Sequence, residues 1–363
     1  MFVVEEKKRE IKKEILTVEN LEVSFKTNSG IVHAIRGVSF GLPEGSTLAL
    51  VGESGSGKTV TMKAIVGLLD DNAIVNEGRI VYRASEEGVD LLRFEKRDLR
   101  RRINGRHIAM VFQDPMTSLD PTMTIGEQVA EAVRLHKNVS RSQAQAQAVR
   151  LLEQVGLPEP QRRMTYYPHR LSGGQRQRVG IAIALACEPR ILICDEPTTA
   201  LDVTVQDRIL DLIRDLQVRP GLSVIYITHD LGVVAKVADF VAVMYAGRIV
   251  EKGTVEEIFY DPRHPYTWGL LSAMPDLEAD EGRLYSIPGS PPNLLHEPEG
   301  DAFAARNEFA LKVDERVAPP LFRITPTHYA ATWLLAPEAP KVDLPQQLKA
   351  RLARARKKAN ICE

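Results

Sequence analysis

The chain has 363 residues, of which 44% are hydrophobic and 26% are charged, and its formal net charge at pH 7 is -1. This length predicts a globular protein with one large domain and a substantial additional segment, and the near-zero charge argues against a nucleic-acid partner. No stretch approaches the roughly 18 consecutive apolar residues of a membrane span, and residues 1–14 are charged and lack an apolar signal core, so we expect a protein that is neither secreted nor membrane-spanning.

The first part of the chain predicts an antiparallel sheet followed by an α/β unit. Residues 15–25 and 31–40 alternate as half-buried strands, and turn residues lie between them. Residues 47–51 form a short apolar strand, which a glycine-rich loop follows. We expect a helix over residues 59–69.

The second part of the chain predicts a helical lobe and then a return to parallel strands. Residues 113–168 are polar, and residues 142–155 have helical spacing. Continuous apolar runs at 191–194 and 224–227 are typical of strands buried on both faces of a sheet. A hairpin at Gly247 leads out of this core.

Proline becomes frequent after residue 262, which predicts a domain boundary there. We therefore expect a charged extension over 1–14, a main domain over 15–262 with a helical lobe over about 113–178, an appendage over 263–340 and a basic tail over 341–363. The basic side chains of the tail are interpreted as a solvated helix end. Cys194 lies in an apolar run and is interpreted as a small buried hydrophobe.

Residues 52–59 read GESGSGKT, which matches the phosphate-loop pattern, with a strand before it and a helix after it. Glycines let backbone N–H groups surround phosphates at a helix N-terminus. Lys58 supplies a charge to the β- and γ-phosphates, and Thr59 offers a hydroxyl to Mg²⁺. The residues predicted to bind the nucleotide here are Gly52, Glu53, Ser54, Gly55, Ser56, Gly57, Lys58, Thr59 and Val60.

Two further motifs add chemistry to this loop. Residues 171–175 read LSGGQ and place small residues at a helix start, which predicts a second anion site. Residues 191–196 read ILICDE, a buried strand that delivers two carboxylates to the edge where α/β sheets bind ligands. Asp195 is therefore predicted to bind Mg²⁺. His229 alone is an ordinary histidine at the end of a strand, and Gln113 before Asp-Pro indicates no more than a turn.

These motifs in this order resemble the ABC ATPase family. The resemblance implies a P-loop ABC cassette of the α/β class, with a RecA-like mixed sheet core, an antiparallel β subdomain and an inserted helical lobe. It implies that Glu196 polarises the attacking water, that His229 contacts the γ-phosphate, and that Gln113 reaches Mg²⁺ or water. It also implies that Asp202 crosses a dimer interface and that Phe25 stacks on adenine. The signature that would close over the ATP of a second subunit comprises Leu171, Ser172, Gly173, Gly174 and Gln175.

Longer stretches are similar to the oligopeptide/dipeptide importer branch of that family. They include QDPMTSLDP at 113–121, DEPTTALDVT at 195–204 and RHPYT at 263–267. The resemblance implies an ATP-hydrolysing motor at the cytoplasmic face of the cell membrane. Its implied partners are a second ABC ATPase subunit in a heterodimer, two membrane permease subunits that dock through coupling helices and, indirectly, an extracytoplasmic binding protein. Nickel or oligosaccharide uptake, or a soluble ABC ATPase acting on nucleic acid, are the alternatives.

The appendage departs from that branch, whose members often carry four cysteines with the character of iron-sulfur ligands. Residues 300–307 read GDAFAARN and keep the glycine, phenylalanine and arginine of the branch without its thiols. The four positions are Asp301, Asn307, Asp314 and Thr332. Since oxygen ligands are poor substitutes for thiolates, we expect no iron-sulfur cluster and an appendage folded by burial of its apolar side chains.

Overall fold

The computed structural model describes residues 13–114, 118–198, 202–217, 221–274 and 286–358. None of the helices in these ranges has both the length and the apolar composition of a membrane span. The elements of the first half are β1 (Glu14–Thr27), β2 (Gly30–Pro43), β3 (Thr47–Val51), α1 (Lys58–Ile65), β4 (Ala73–Tyr82), β5 (Val89–Asp90), α2 (Lys96–Arg102), β6 (Ile108–Val111), α3 (Ile125–His136) and α4 (Arg141–Gln154). Those of the second half are α5 (Pro160–Arg163), α6 (Gly173–Ala184), β7 (Ile191–Asp195), α7 (Val203–Gln217), β8 (Ser223–Thr228), α8 (Leu231–Val237), β9 (Phe240–Tyr245), β10 (Arg248–Thr254), α9 (Val255–Tyr260), α10 (Pro265–Ser272), β11 (Phe322–Arg323), β12 (Tyr329–Ala330) and α11 (Gln346–Lys358).

Two sheets form the framework. The antiparallel sheet has the order β2-β1-β4-β5, and the larger sheet has the order β11-β12-β10-β9-β3-β8-β7-β6. The five strands from β9 to β6 are parallel, whereas β10, β12 and β11 add to the edge as antiparallel strands. The predicted mixed sheet core and antiparallel sheet are confirmed.

The parallel strands bring their carboxyl ends to one edge. Strands β3, β7 and β8 are buried at every position, as their continuous apolar runs predict. The side chains of β7 and β8 alternate between two clusters on opposite faces of the sheet, one shared with the antiparallel sheet and one shared with the helices of the lobe. On β3, Leu48 and Leu50 join the first of these clusters, whereas Ala49 and Val51 pack in a third cluster with C-terminal residues. Cys194 is fully buried in the second cluster, and this burial raises the pKa of its thiol, so its predicted role as a small hydrophobe is confirmed.

Helix α1 ends earlier than the predicted residue 69. Gly67 adopts a left-handed conformation with φ 64°, and its N–H donates to Ala64 O at 3.2 Å while the N–H of Leu68 donates to Lys63 O at 2.8 Å. These two bonds form a Schellman ending. The apolar residues after Ile65 therefore pack as a loop rather than as helix.

The C-terminal segment, here residues 263–274 and 286–358, adds two short strands to the edge of the main sheet. Strand β12 pairs with β10, with Glu251 opposite Ala330, and Tyr266 and Trp268 of α10 are buried against β3 and β9. In the terminal helix α11, the guanidinium of Arg351 donates to the carbonyl oxygens of Leu271 and Met274 at 2.8 Å each. This arginine caps the end of α10, so the interpretation of its side chain as solvated is wrong. The boundary near residue 262 stays a prediction.

Candidate functional site

The phosphate loop connects the end of β3 to the start of α1. Gly52 has φ 151°, and a Cβ atom at this position would lie 2.2 Å from the carbonyl oxygen of Met244. Gly57, with φ 103°, would place a Cβ atom 2.6 Å from Ile35 Cδ1. The loop thus passes so close to neighbouring strands that both positions require glycine.

The ammonium group of Lys58 lies inside this loop. Its Nζ donates to the carbonyl oxygens of Gly52 at 2.8 Å and Glu53 at 2.9 Å, and the residue is only 6% exposed. Burial lowers the pKa of the Lys58 ammonium, and the charges of Glu196, Asp195 and Glu53 oppose that shift. A buried cation at a helix N-terminus is suited to a phosphate group.

Asp195 ends β7 beside the phosphate loop. The hydroxyl of Thr59 donates to Asp195 Oδ1 at 3.3 Å. Burial raises the pKa of the Asp195 carboxyl, while the bond from Thr59 and the charge of Lys58 act in the opposite direction. A buried carboxylate next to a hydroxyl provides the hard oxygen donors that Mg²⁺ prefers.

Glu196 lies between the two other residues predicted to be catalytic. The side-chain amide of Gln113 donates to Glu196 Oε2 at 3.0 Å, and Nδ1 of His229 lies 3.2 Å from Glu196 Oε1. Glu196 itself adopts φ 43°, and its backbone N–H donates to Ile227 O at 3.0 Å. Because Gln113 and His229 follow β6 and β8, on either side of β7, the sheet order brings the three side chains together.

The carboxylate of Glu196 is suited to acid–base work. Its side chain is 15% exposed, whereas that of His229 is 58% exposed. A carboxylate that two neighbours orient at the mouth of a phosphate site can accept a proton from water. The arrangement therefore supports hydrolysis of a bound phosphoanhydride.

The signature residues begin α6. The hydroxyl of Ser172 accepts from the Gln175 N–H at 3.4 Å, and Gln175 Oε1 accepts from the Ser172 N–H at 3.1 Å. This capping box defines the helix start. Gly174 lies against α7, since a Cβ atom there would come 2.4 Å from Val205 Cγ1. In turn, Asp202 Oδ1 caps α7 by accepting from the Val205 N–H at 3.0 Å.

Phe25 and Val60, both predicted to bind the nucleotide, pack at the core between the two sheets. Phe25 lies in β1 opposite Val32 and Ala73 and packs against the core between the sheets. The strand continues to Thr27, so the expectation that Phe25 ends it is wrong, and its adenine contact stays a prediction. Val60 packs against the same core. The D-loop residues 200 and 201 lie outside the described residues.

The structure also reveals contacts to the phosphate loop that the motifs did not predict. Arg306 forms an ion pair with Glu53, and the backbone N–H of Glu53 donates to the Tyr266 hydroxyl at 2.8 Å. Both partners belong to stretches that resemble the importer branch. Nothing in the spacing of the sequence relates these stretches to residue 53, so the contacts needed the tertiary structure.

The four positions where the branch carries thiols use their side-chain oxygens locally. Asp301 Oδ1 accepts from the Phe303 N–H at 3.0 Å, and Asp314 Oδ2 accepts from the Leu311 N–H at 2.6 Å. Likewise, Asn307 Oδ1 accepts from the Phe309 N–H at 2.9 Å, and Thr332 Oγ1 accepts from the Leu334 N–H at 3.3 Å. These oxygens stabilise turns and do not fit an iron-sulfur cluster, which needs thiolates. Across the described ranges, no group of three or more His, Cys, Asp or Glu side chains is arranged to hold a metal ion.

A groove lies between the helical lobe and the edge of the main sheet. Phe112, which follows β6, is 43% exposed, and Leu135 of α3 is 71% exposed. Ala132, His136 and Cys187 line the same groove. This surface is mostly apolar, and Gln113 directly follows its lining residue Phe112 in the chain.

Comparisons with known proteins give two family matches. Residues 35–199 match the family described as ABC transporter, and residues 250–313 match the oligopeptide/dipeptide transporter C-terminal region. The oligopeptide transport ATP-binding protein OppD of Bacillus subtilis is 54% identical over 351 residues, which cover 96% of each protein. The dipeptide transport ATP-binding protein DppD of Lactococcus lactis subsp. cremoris is 55% identical over 341 residues, covering 94% of this chain and 96% of that protein.

Solved structures show the same architecture. The dimeric ATP-binding cassette MJ0796, in a post-hydrolysis state bound to ADP and Pi, superposes with a TM-score of 0.59 and 28% identity, and the match covers 66% of this chain and 98% of that one. The structure of cbiO1 from Clostridium perfringens, part of the ABC transporter complex cbiONQ, gives a TM-score of 0.57 and 29% identity over 69% of this chain and 92% of that one.

Proposed function

Because the chain belongs to the ABC transporter family, in the branch of the oligopeptide/dipeptide transport ATP-binding proteins, we propose that it is the ATP-hydrolysing motor subunit of a peptide importer. The observation that carries the proposal is the position of Glu196 between Gln113 and His229, on the sheet edge that also presents Lys58. A nucleotide whose phosphates lie against Lys58 would have its terminal phosphate near this carboxylate. Glu196 then accepts the proton of the attacking water.

The phosphate loop binds ATP, and the residues at the sheet edge catalyse its hydrolysis. Residues 52–60 bind the phosphates, and Phe25 contacts the adenine. Lys58 balances the phosphate charge, while Gln113 and His229 orient Glu196 and the γ-phosphate. Positioning and electrostatic stabilisation contribute most of the acceleration in such reactions.

Magnesium fits the oxygen donors beside the loop. Thr59 and Asp195, whose oxygens are 3.3 Å apart, would bind it together with Gln113. Bound Mg²⁺ would neutralise charge that develops on the phosphates during transfer. We propose no iron-sulfur cluster, since the side-chain oxygens at the four positions where the branch carries cysteines already accept backbone hydrogen bonds.

A second ABC ATPase subunit completes the proposed site. The signature residues 171–175 start a helix whose N-terminal amides and small side chains suit a phosphate, and they would serve the nucleotide held by the partner. Asp202, at the start of the adjoining α7, would lie in the same interface. We propose a heterodimer, in which each chain contributes one phosphate loop and one signature.

The apolar groove beside Gln113 would receive a coupling helix from a membrane permease subunit. Exposed Phe112 and Leu135 provide apolar surface for such a helix. A helix seated there would link movement of the lobe to the state of the catalytic edge. The proposed location is therefore the cytoplasmic face of the cell membrane, with an extracytoplasmic binding protein as an indirect partner.

Transport in a reconstituted system tests this function. The chain, its ATPase partner and the permease subunits are placed in liposomes, and uptake of a labelled peptide is measured with ATP, with ADP and with the Lys58→Ala variant. We expect uptake only with ATP and intact Lys58, because that ammonium is needed to bind the phosphates. Uptake of nickel or an oligosaccharide instead of peptide would overturn the assigned substrate, and ATP-independent uptake would overturn the motor role.

A further inference from the structure

An ion pair connects the C-terminal segment to the phosphate loop. Arg306 Nη1 donates to Glu53 Oε2 at 2.8 Å, and Nη2 donates to Glu53 Oε1 at 3.0 Å. The arginine side chain is 6% exposed and the glutamate side chain is 28% exposed. A two-bond pair of this kind fixes the orientation of both groups.

Arg306 is itself rigidly placed. Its Nε donates to Pro288 O at 2.7 Å, and Nη1 also donates to the Tyr245 hydroxyl at 3.2 Å. The guanidinium lies 5.7 Å from the ring centre of Tyr245 and 5.9 Å from that of Phe303. Burial alone would lower the pKa of Arg306, but the bonds to Glu53 and Tyr245 raise it overall, so the group stays a cation.

Glu53 connects this arginine to Lys58, which is predicted to bind the phosphates. Its backbone N–H donates to the Tyr266 hydroxyl at 2.8 Å, and its carbonyl oxygen accepts from Lys58 Nζ at 2.9 Å. One residue of the loop is thus fixed through its side chain and its N–H by the C-terminal segment, and through its carbonyl by Lys58. A shift of Arg306 would move the carbonyl that orients the lysine.

We propose that Arg306 is a positioning residue for the phosphate loop, which makes the C-terminal segment a structural part of the ATP site. The inference rests on the proposed nucleotide-binding function. The C-terminal segment lacks the cysteines of the importer branch but keeps its arginine, at residue 306. The proposal gives this arginine a role. The segment thereby sets the affinity for ATP through Glu53, independently of any metal.

Nucleotide binding and steady-state ATPase measurements on the assembled transporter test this role. The variants are Arg306→Gln, Glu53→Gln and the double variant, with Arg316→Gln as the matched control, since Arg316 is an exposed arginine of the same segment. Loss of a charge-assisted pair should raise KM and the Kd for ATP about tenfold while kcat changes less than about twofold. The double variant should lose no more affinity than the worse single variant, because the two residues act as a pair.

A thermal unfolding scan separates positioning from folding. Glu53→Gln leaves a buried cation without its carboxylate and should lower the melting temperature more than Arg306→Gln does. Arg306→Lys keeps the positive charge but loses the paired donors of the guanidinium. It should retain the fold, with a KM for ATP between those of the wild-type protein and Arg306→Gln. Wild-type ATP affinity in folded Arg306→Gln and Arg306→Lys would overturn the inference, as would additive losses in the double variant. Failure of the wild-type protein to bind ATP would instead overturn the proposed function.

Discussion

His229 Nδ1 lies 3.2 Å from Glu196 Oε1, and this contact joins the ends of two adjacent parallel strands. Strand β7 delivers the carboxylate and strand β8 delivers the imidazole, with residue Asp195 of β7 opposite Ile227 of β8. The pair lies at the edge of the sheet, where a bound phosphate would be within reach.

Glu196→Gln should bind ATP nearly as well as the wild-type protein but turn it over at least about 100-fold more slowly. The amide keeps the shape of the side chain and can still contact Gln113 and His229, but it does not accept a proton from water. Phosphate release by the assembled transporter measures the rate, and a fluorescent ATP analogue measures binding. Glu188→Gln, which changes a carboxylate that is 82% exposed, is the control. A wild-type rate in the Glu196 variant would show that another group is the base.

Ser172→Arg should abolish hydrolysis at the partner's nucleotide site and spare ATP binding to the phosphate loop of its own chain. A large cation at the start of α6 would replace the serine that caps this helix and would block the small surface offered to the second nucleotide. Crosslinking of a photoreactive ATP analogue to each subunit distinguishes the two sites. The same model predicts weak ATPase activity in the isolated chain, rising with protein concentration. Full activity in a strict monomer would contradict the shared site.

Protein purified without oxygen should contain no stoichiometric iron. The oxygens of Asp301, Asn307, Asp314 and Thr332 accept hydrogen bonds from nearby backbone N–H groups, and oxygen donors are poor ligands for such clusters. Iron analysis and a visible absorption spectrum check this expectation. One cluster per chain, seen as stoichiometric iron with a broad visible absorption band, would require ligands outside these four positions.

Asp301→Asn should stabilise the protein at neutral pH. Burial, reinforced by the charge of Asp314, raises the pKa of the Asp301 carboxyl to about 6. Since this is above the pKa of the unfolded chain, near 3.9, the folded state is favoured by protonation, and that contribution is lost as pH rises from about 4 through 6. The amide stays neutral and keeps an acceptor for the Phe303 N–H, so the variant should gain about 3 kcal/mol of unfolding free energy at a pH well above 6.

Unfolding in urea at pH 7.5 and pH 4.5 measures this effect. The difference between the Asp301→Asn variant and the wild-type protein should shrink at the lower pH, where the wild-type carboxyl becomes protonated in the folded state. Glu308→Gln, which changes an exposed carboxylate of the same segment, should show no such pH dependence. An equal difference at both pH values would rule out the ionisation of Asp301 as the cause.

The sequence by itself determined the strands and the local motifs. Strand β3 has the predicted bounds Thr47–Val51, and β7 and β8 extend the predicted apolar runs by one or two residues. Such strands are specified locally because a sheet buried on both faces requires continuous apolar runs. The order of the phosphate loop, signature and paired carboxylates was likewise sufficient to identify the family.

Tertiary structure decided which distant residues meet. The contacts of Glu196 with Gln113 and His229 depend on the order β6-β7-β8, because the chemistry of each residue is local but its neighbours are set by strand pairing. The ion pair between Arg306 and Glu53 forms only because the C-terminal segment folds back against Tyr245 of β9. The early end of helix α1 is by contrast a local feature, because the left-handed Gly67 and its backbone hydrogen bonds close the helix. Physically, hydrophobic periodicity specifies elements, whereas long-range polar contacts depend on a geometry that forms only when those elements pack.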